Sequence, residues 1–125
     1  MSFTYDIQAK VAINRLYLGL RGSMSDDEAK EVADRVIQEI RKLRPGFTII
    51  NDISELKPAS PAATEHLRRA QEASVKHGCG RVIRVVGSQA ITQMQWSRTL
   101  KAAHHGGAET ATTVEEAERM LAQPK

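Results

Sequence analysis

Two short apolar runs constrain this chain most: FTIIN at residues 47–51 and RVIRVV at residues 81–86. Each is rich in β-branched residues and bounded by Gly on its N-terminal side, the pattern of a strand buried on both faces. Stretches of helical period separate and flank them. Parallel strands need a crossover long enough to hold a helix, so this alternation predicts a parallel sheet with helices packed against it. The whole reading depends on the two runs lying side by side as interior strands.

The flanking elements carry their own start and stop signals. Ser25-Asp26-Asp27-Glu28 is a capping box, in which the serine oxygen accepts from the third-residue amide and Glu28 reaches back. Ala29, Val32, Ala33, Val36, Ile37, Ile40 and Leu43 then recur at steps of three and four as one apolar stripe, until Arg44-Pro45-Gly46 ends the helix. A second helix begins at Ser60-Pro61, with serine as cap and proline at the first helical position. Its buried side carries Leu67, Ala70, Ser74 and His77, and Gly78 ends it.

Upstream, YDIQAKVAINRLYLGLRG reads as a hairpin whose strands meet near Asn14-Arg15, with Leu16, Leu18 and Leu20 on one face. Downstream, Ser88 caps a predicted helix over residues 88–106, and residues 108–112 form a weak fifth strand. Thr113-Val114-Glu115-Glu116 is a second capping box, opening a helix that turns Ala117, Met120 and Leu121 inward. The order ββαβαβαβα predicts an α/β fold: a mixed, mostly parallel five-stranded sheet with about four helices, in a single domain spanning residues 1–125.

Composition excludes several functions. At 125 residues and 41% hydrophobic content the chain can bury one core. Its 18 basic and 15 acidic residues are interspersed, and it has only two Phe, two Tyr and one Trp, so neither a basic arm nor a base-stacking platform points to nucleic acid. Cys79 has no partner for a disulfide, which fits a reducing compartment. No apolar run reaches the roughly 20 residues of a membrane span, and Asp6 interrupts any leader pattern, so a cytoplasmic protein is expected.

Three segments together resemble the STAS family, in its SpoIIAA-like branch related to anti-sigma-factor antagonists. RLYLGLRGSMS before a long amphipathic helix is similar to the family's strand, glycine-hydroxyl turn and first helix. FTIINDISELKPASPAA looks like its apolar strand leading into the signalling loop, and TATTVEEAERMLA like its closing strand and helix. The resemblance implies a non-enzymatic regulatory module that binds a protein partner, with a kinase or anti-sigma-type regulator and a second copy of the chain as candidates. No cofactor is implied. Family members carry an Asp-Ser-Ser/Ala-Gly type loop with a phosphorylated serine, whereas this chain has Ala59-Ser60-Pro61-Ala62-Ala63. Ser60 falls where the family places its aspartate, and Pro61 or Ala62 occupies the phosphoacceptor position.

Ser60 reads either as a helix cap or as a phosphorylation site, since a phosphate beside open helix amides is electrostatically favoured. The resemblance makes Ser60, Thr64 and Arg68 one part of a partner surface. The other part comes from the predicted helix over 88–106, where Ala90, Ile91 and Met94 lie on one side and Trp96, Leu100 and Ala103 nearly opposite. One side packs on the sheet, and the other contacts a partner or tucks beneath the C-terminal segment; Met94, Trp96 and Leu100 are the candidates.

No catalytic residue and no metal ligand is expected. Asp52 and Ser54 suit turn chemistry better than a catalytic pair. Adjacent His104 and His105 point about 100° apart on a helix, and His66 and His77 are too far apart along one to share an ion. Basic neighbours on both sides of Cys79 are a setting that lowers a thiol pKa, but a small residue at the start of a buried strand explains its presence better. Gly87-Ser88-Gln89 could hold an anion without being a nucleotide loop. The alternative function is a small apolar ligand or lipid-binding protein, which the SpoIIAA-like resemblance also implies; an interior pocket would favour it.

Overall fold

A computed structural model of the chain describes residues 3–86 and 109–122. The strands are β1 (Thr4–Lys10), β2 (Arg15–Gly22), β3 (Thr48–Leu56), β4 (Arg81–Val85) and β5 (Glu109–Ala111). The described α-helices are α1 (Asp26–Ile40), α2 (Pro61–Lys76) and α3 (Val114–Ala122), and a short 3-10 turn (Val11–Ile13) joins β1 to β2. The helix predicted over 88–106 lies outside the described residues.

The strands form one sheet in the order β1-β2-β3-β4-β5, with β1 antiparallel to β2 and all other pairs parallel. The two apolar runs do lie side by side, with Ile49 opposite Val82 and Ile50 opposite Ile83. Successive side chains on β3 face opposite ways, so Ile49 joins the core beneath α1 and α2 while Ile50 joins a smaller cluster beneath α3. That is why these strands read as unbroken apolar runs.

Both helix starts at the front of the chain form as their sequences predict. Ser25 accepts from the Glu28 amide, and Glu28 accepts from the Ser25 amide at 2.8 Å. Ser60 caps α2, with Pro61 following. At the third, Thr113 accepts from the Glu116 amide at 3.1 Å, but the Glu116 carboxylate reaches past the cap to the Thr112 amide at 2.7 Å. The capping box there is offset by one residue.

Two expected boundaries move. The hairpin closes through Val11–Ile13, and Asn14 takes a left-handed conformation with φ of 52°. More consequential, β3 does not stop at Asn51 but continues to Leu56. Asn51 and Asp52 are flanked on both sides, by Leu18 and Gly19 of β2 and by Arg84 and Val85 of β4. A bulge after Asp52 then adds one residue to β3 relative to β2, so that Arg21 pairs with Glu55.

Candidate partner-facing site at the start of the second helix

The carboxyl ends of β2 and β3 deliver two helix N-termini to the same end of the molecule. Gly22 turns the chain out of β2 with φ of 92°, and its carbonyl accepts from the Lys57 amide at 3.0 Å, which fixes the loop between β3 and α2 against the loop before α1. Ser60 completes the connection: its oxygen accepts from the Ala63 amide at 3.1 Å and its proton goes to Asp26 Oδ1 at 2.6 Å. The Arg21–Glu55 ion pair lies nearby, at 3.7 Å.

Ser60 is therefore a cap, as the local sequence implies, and also a link between two helices, which it does not. Thr64 is half-buried one turn along, its amide bonded to the Ser60 carbonyl at 2.9 Å. Arg68 is half-buried with its guanidinium held by Glu65, and Arg69 bridges to Asp34 of α1 at 3.0 Å. Ser60, Thr64 and Arg68 thus follow one another along α2, and α1 contributes Asp26 and Asp34, which sequence reasoning missed. A contact between two caps distant in sequence leaves no local signal. Met94, Trp96 and Leu100 lie outside the described residues, as do His104, His105 and the segment 87–89.

Asp52 sits in a strand, not a turn, yet its side chain makes the short-range bonds that its sequence setting implies. Its Oδ1 accepts from the Ser54 amide at 3.1 Å and from the Ser54 hydroxyl at 2.7 Å. It borders a groove of about 340 Å³ on the sheet face not covered by α1 and α2, with Asp6, Tyr17, Gly19, Arg21 and Glu118. Tyr17 donates to Glu118 at 2.6 Å, and burial followed by that hydrogen bond raises its pKa. Among the described residues no histidine lines this groove.

His77 bonds the Leu43 carbonyl at 2.8 Å and packs beside Phe47. Among the described residues no three His, Cys, Asp or Glu side chains gather closely enough to hold a metal ion. At Cys79 burial pushes the thiol up to about 11, because desolvation outweighs the neighbouring bases, which fits a small residue at the start of a buried strand rather than a reactive thiol. Beneath α1 and α2 a cavity of about 50 Å³ is lined by Leu16, Val32, Ile49, Leu67, Asn51 and Arg84, among others. Arg84 is 1% exposed, and burial lowers its pKa to about 10.

No family model matches this chain, and no curated protein is similar to it. Solved structures are. An anti-sigma factor antagonist from Mycobacterium paratuberculosis superposes with a TM-score of 0.64 at 11% identity, covering 98% of this chain and 96% of its own. An uncharacterized protein of the DUF3478 family with a SpoIIAA-like fold, from Shewanella loihica, gives 0.66 at 16% identity, covering 95% and 93%. The chain has a SpoIIAA-like α/β fold. Among the described residues no helix is long and apolar enough to cross a membrane.

Proposed function

We propose that the chain is a non-enzymatic regulatory module that binds a protein partner through the start of α2 and the segment containing Met94, Trp96 and Leu100. The observation that carries this reading is the Ser60–Asp26 hydrogen bond, which joins two helix N-termini into one exposed surface. The fold shared with an anti-sigma factor antagonist supports it.

Ser60 is exposed and is the natural control point of such a surface. A phosphate on its oxygen removes the proton now given to Asp26 and sets a dianion beside a carboxylate. The amides of α2 favour the phosphate while Asp26 repels it, so the link between the helices breaks and the partner meets a different surface. The partner class is a kinase or anti-sigma-type regulator; self-association is the other form that the reading takes.

Affinity capture from the native cell with wild-type, Ser60→Asp and Trp96→Ala chains, together with intact-mass analysis of the native chain, tests the proposal. Loss of the same partner with both variants supports it; identical recovery by all three chains overturns it. A second reading, a small apolar ligand or lipid-binding protein, is favoured by the cavity beneath α1 and α2. At about 50 Å³ that cavity falls well short of the roughly 300 Å³ at which ligand pockets begin, so it suits only a very small molecule. An apolar molecule carried through purification would support this second reading.

A further inference from the structure

The large apolar side chains exposed among the described residues are Val11, Ile13 and Val75, at 58%, 52% and 53%, and all lie at one end of the molecule. There the parallel strands begin and α1 and α2 finish. Three loops build this end and are tied together. Asn14 Nδ2 donates to the Arg44 carbonyl at 3.1 Å, and Asn14 Oδ1 accepts from the Arg44 amide at 2.8 Å. The Gly46 amide donates to the Gly78 carbonyl at 2.7 Å. Val11 and Ile13 belong to the first loop, and Val75 to the last turn of α2.

The same end is basic. Lys10, Arg41, Lys42, Arg44 and Lys76 are exposed, and Arg15 is half-buried with its guanidinium on Thr48 and Tyr17. The carboxylates nearby are largely engaged. Glu39 is buried and paired with Lys42 at 2.8 Å, and Glu109 is bound by Arg81 at 2.7 Å; Glu72 lies one helical turn before Lys76. Arg41, Arg44 and Lys76 are in no ion pair among the described residues. Arg41 and Lys76 flank a groove of about 250 Å³ between α1 and α2, lined also by Ile37, Ile40 and Ala73. Asp26, Asp27 and Glu28 stand at the opposite end of α1, so that helix is acidic where it starts and has cations just past its end.

Helix dipoles account for cations where helices finish, but not for β-branched side chains left in water at a hairpin tip. A surface that offers phosphates above an apolar layer accommodates both. We propose that this end docks on an anionic lipid bilayer, with Val11 and Ile13 entering the headgroup region and Arg41, Arg44 and Lys76 facing the lipid phosphates. A second copy of the chain fits less well, because a two-fold contact would bring these cations face to face. Nucleic acid would use the charge and leave the apolar tips unsatisfied. The docking end is remote from the Ser60 surface, so this proposal stands apart from the partner-binding one.

Co-sedimentation of the full chain with phosphatidylcholine vesicles, with and without phosphatidylglycerol, decides the matter. Each cation at an anionic surface contributes about fivefold in partition. Wild-type chain should partition at least about tenfold more strongly onto the anionic vesicles, and added salt should weaken it. Arg41→Glu with Arg44→Glu should lower partition by at least about twentyfold, and Val11→Ser with Ile13→Ser by about fivefold, both with unchanged circular dichroism. Three outcomes overturn the proposal. These are equal or absent partition on the two vesicle types, charge-dependent binding that ignores Val11→Ser with Ile13→Ser, and a chain dimer that this apolar double variant abolishes.

Discussion

The hydroxyl of Ser60, which caps α2, donates to the carboxylate of Asp26, the first residue of α1, at 2.6 Å. One side chain thereby closes the N-terminus of its own helix and holds the start of another. Ser60→Ala should lower unfolding free energy by about 1–2 kcal/mol, since both the cap and the link disappear. Asp26→Ala removes the link and one of three first-turn carboxylates of α1 but leaves the α2 cap, and should cost less. In urea titrations the double variant should be about 0.5 kcal/mol more stable than the summed single losses predict. Strict additivity would show that the 2.6 Å contact contributes nothing.

Gly78 and Gly46 share nearly the same backbone conformation, with φ of 95° and 92°, but not the same surroundings. A Cβ at Gly78 would meet the Pro45 Cβ at 2.9 Å, whereas one at Gly46 meets nothing within 4 Å. Gly46→Ala should therefore cost about 1 kcal/mol of backbone strain alone. Gly78→Ala should cost about 2–3 kcal/mol, because the loop carrying Pro45 must also shift. Thermal melts of the two variants compare them directly, and equal losses would contradict the packing seen around Gly78.

Burial raises the Cys79 thiol to about 11, while an unfolded chain ionises it near the ordinary value of about 8.5. At pH about 8 a thiol-disulfide reagent should label the native chain roughly 200-fold more slowly than the unfolded one, following the thiolate fraction. Between about pH 8.5 and 11 the unfolded state holds fewer protons, so stability should fall as pH rises through that window. Cys79→Ala should remove this part of the decline. Native labelling as fast as unfolded labelling would place the thiol in solvent.

Arg81 ties the short strand β5 to the rest of the sheet. Its Nε and Nη2 bind the two carboxylate oxygens of Glu109 at 2.9 and 2.7 Å, and its Nη1 donates to the Met120 carbonyl at 3.0 Å. Both side chains are mostly buried, and Arg81→Met removes this two-point contact from the Glu109 carboxylate. The loss should be about 1.5–3 kcal/mol, the range for hydrogen bonds to a charged group. Hydrogen exchange should quicken at Glu109–Ala111 and along α3 before it does in α1. Uniform quickening throughout would show that Arg81 acts on the whole fold and not on this edge.

The limits of the sequence are clearest in β3. FTII was legible as a buried strand because Ile49 and Ile50 serve cores on opposite faces. Asn51 and Asp52 read as a turn, since Asp two residues before Ser is common turn chemistry, and that bond to Ser54 does form. The strand continues because β2 and β4 offer backbone partners on both sides of these residues. Cys79 illustrates the same gap. Its basic neighbours are visible in the sequence, but the desolvation that overrides them is not.

By itself the sequence determined the kinds of element and their order, and most of their caps. These depend on periodicity and on hydrogen bonds spanning three or four residues, so every signal lies within one segment. The tertiary structure alone decided that Ser60 would meet Asp26 across 34 positions, and that Val11 and Val75 would share one basic end. Such meetings follow from which strands pair and where the chain turns back, and that is a property of the whole sheet.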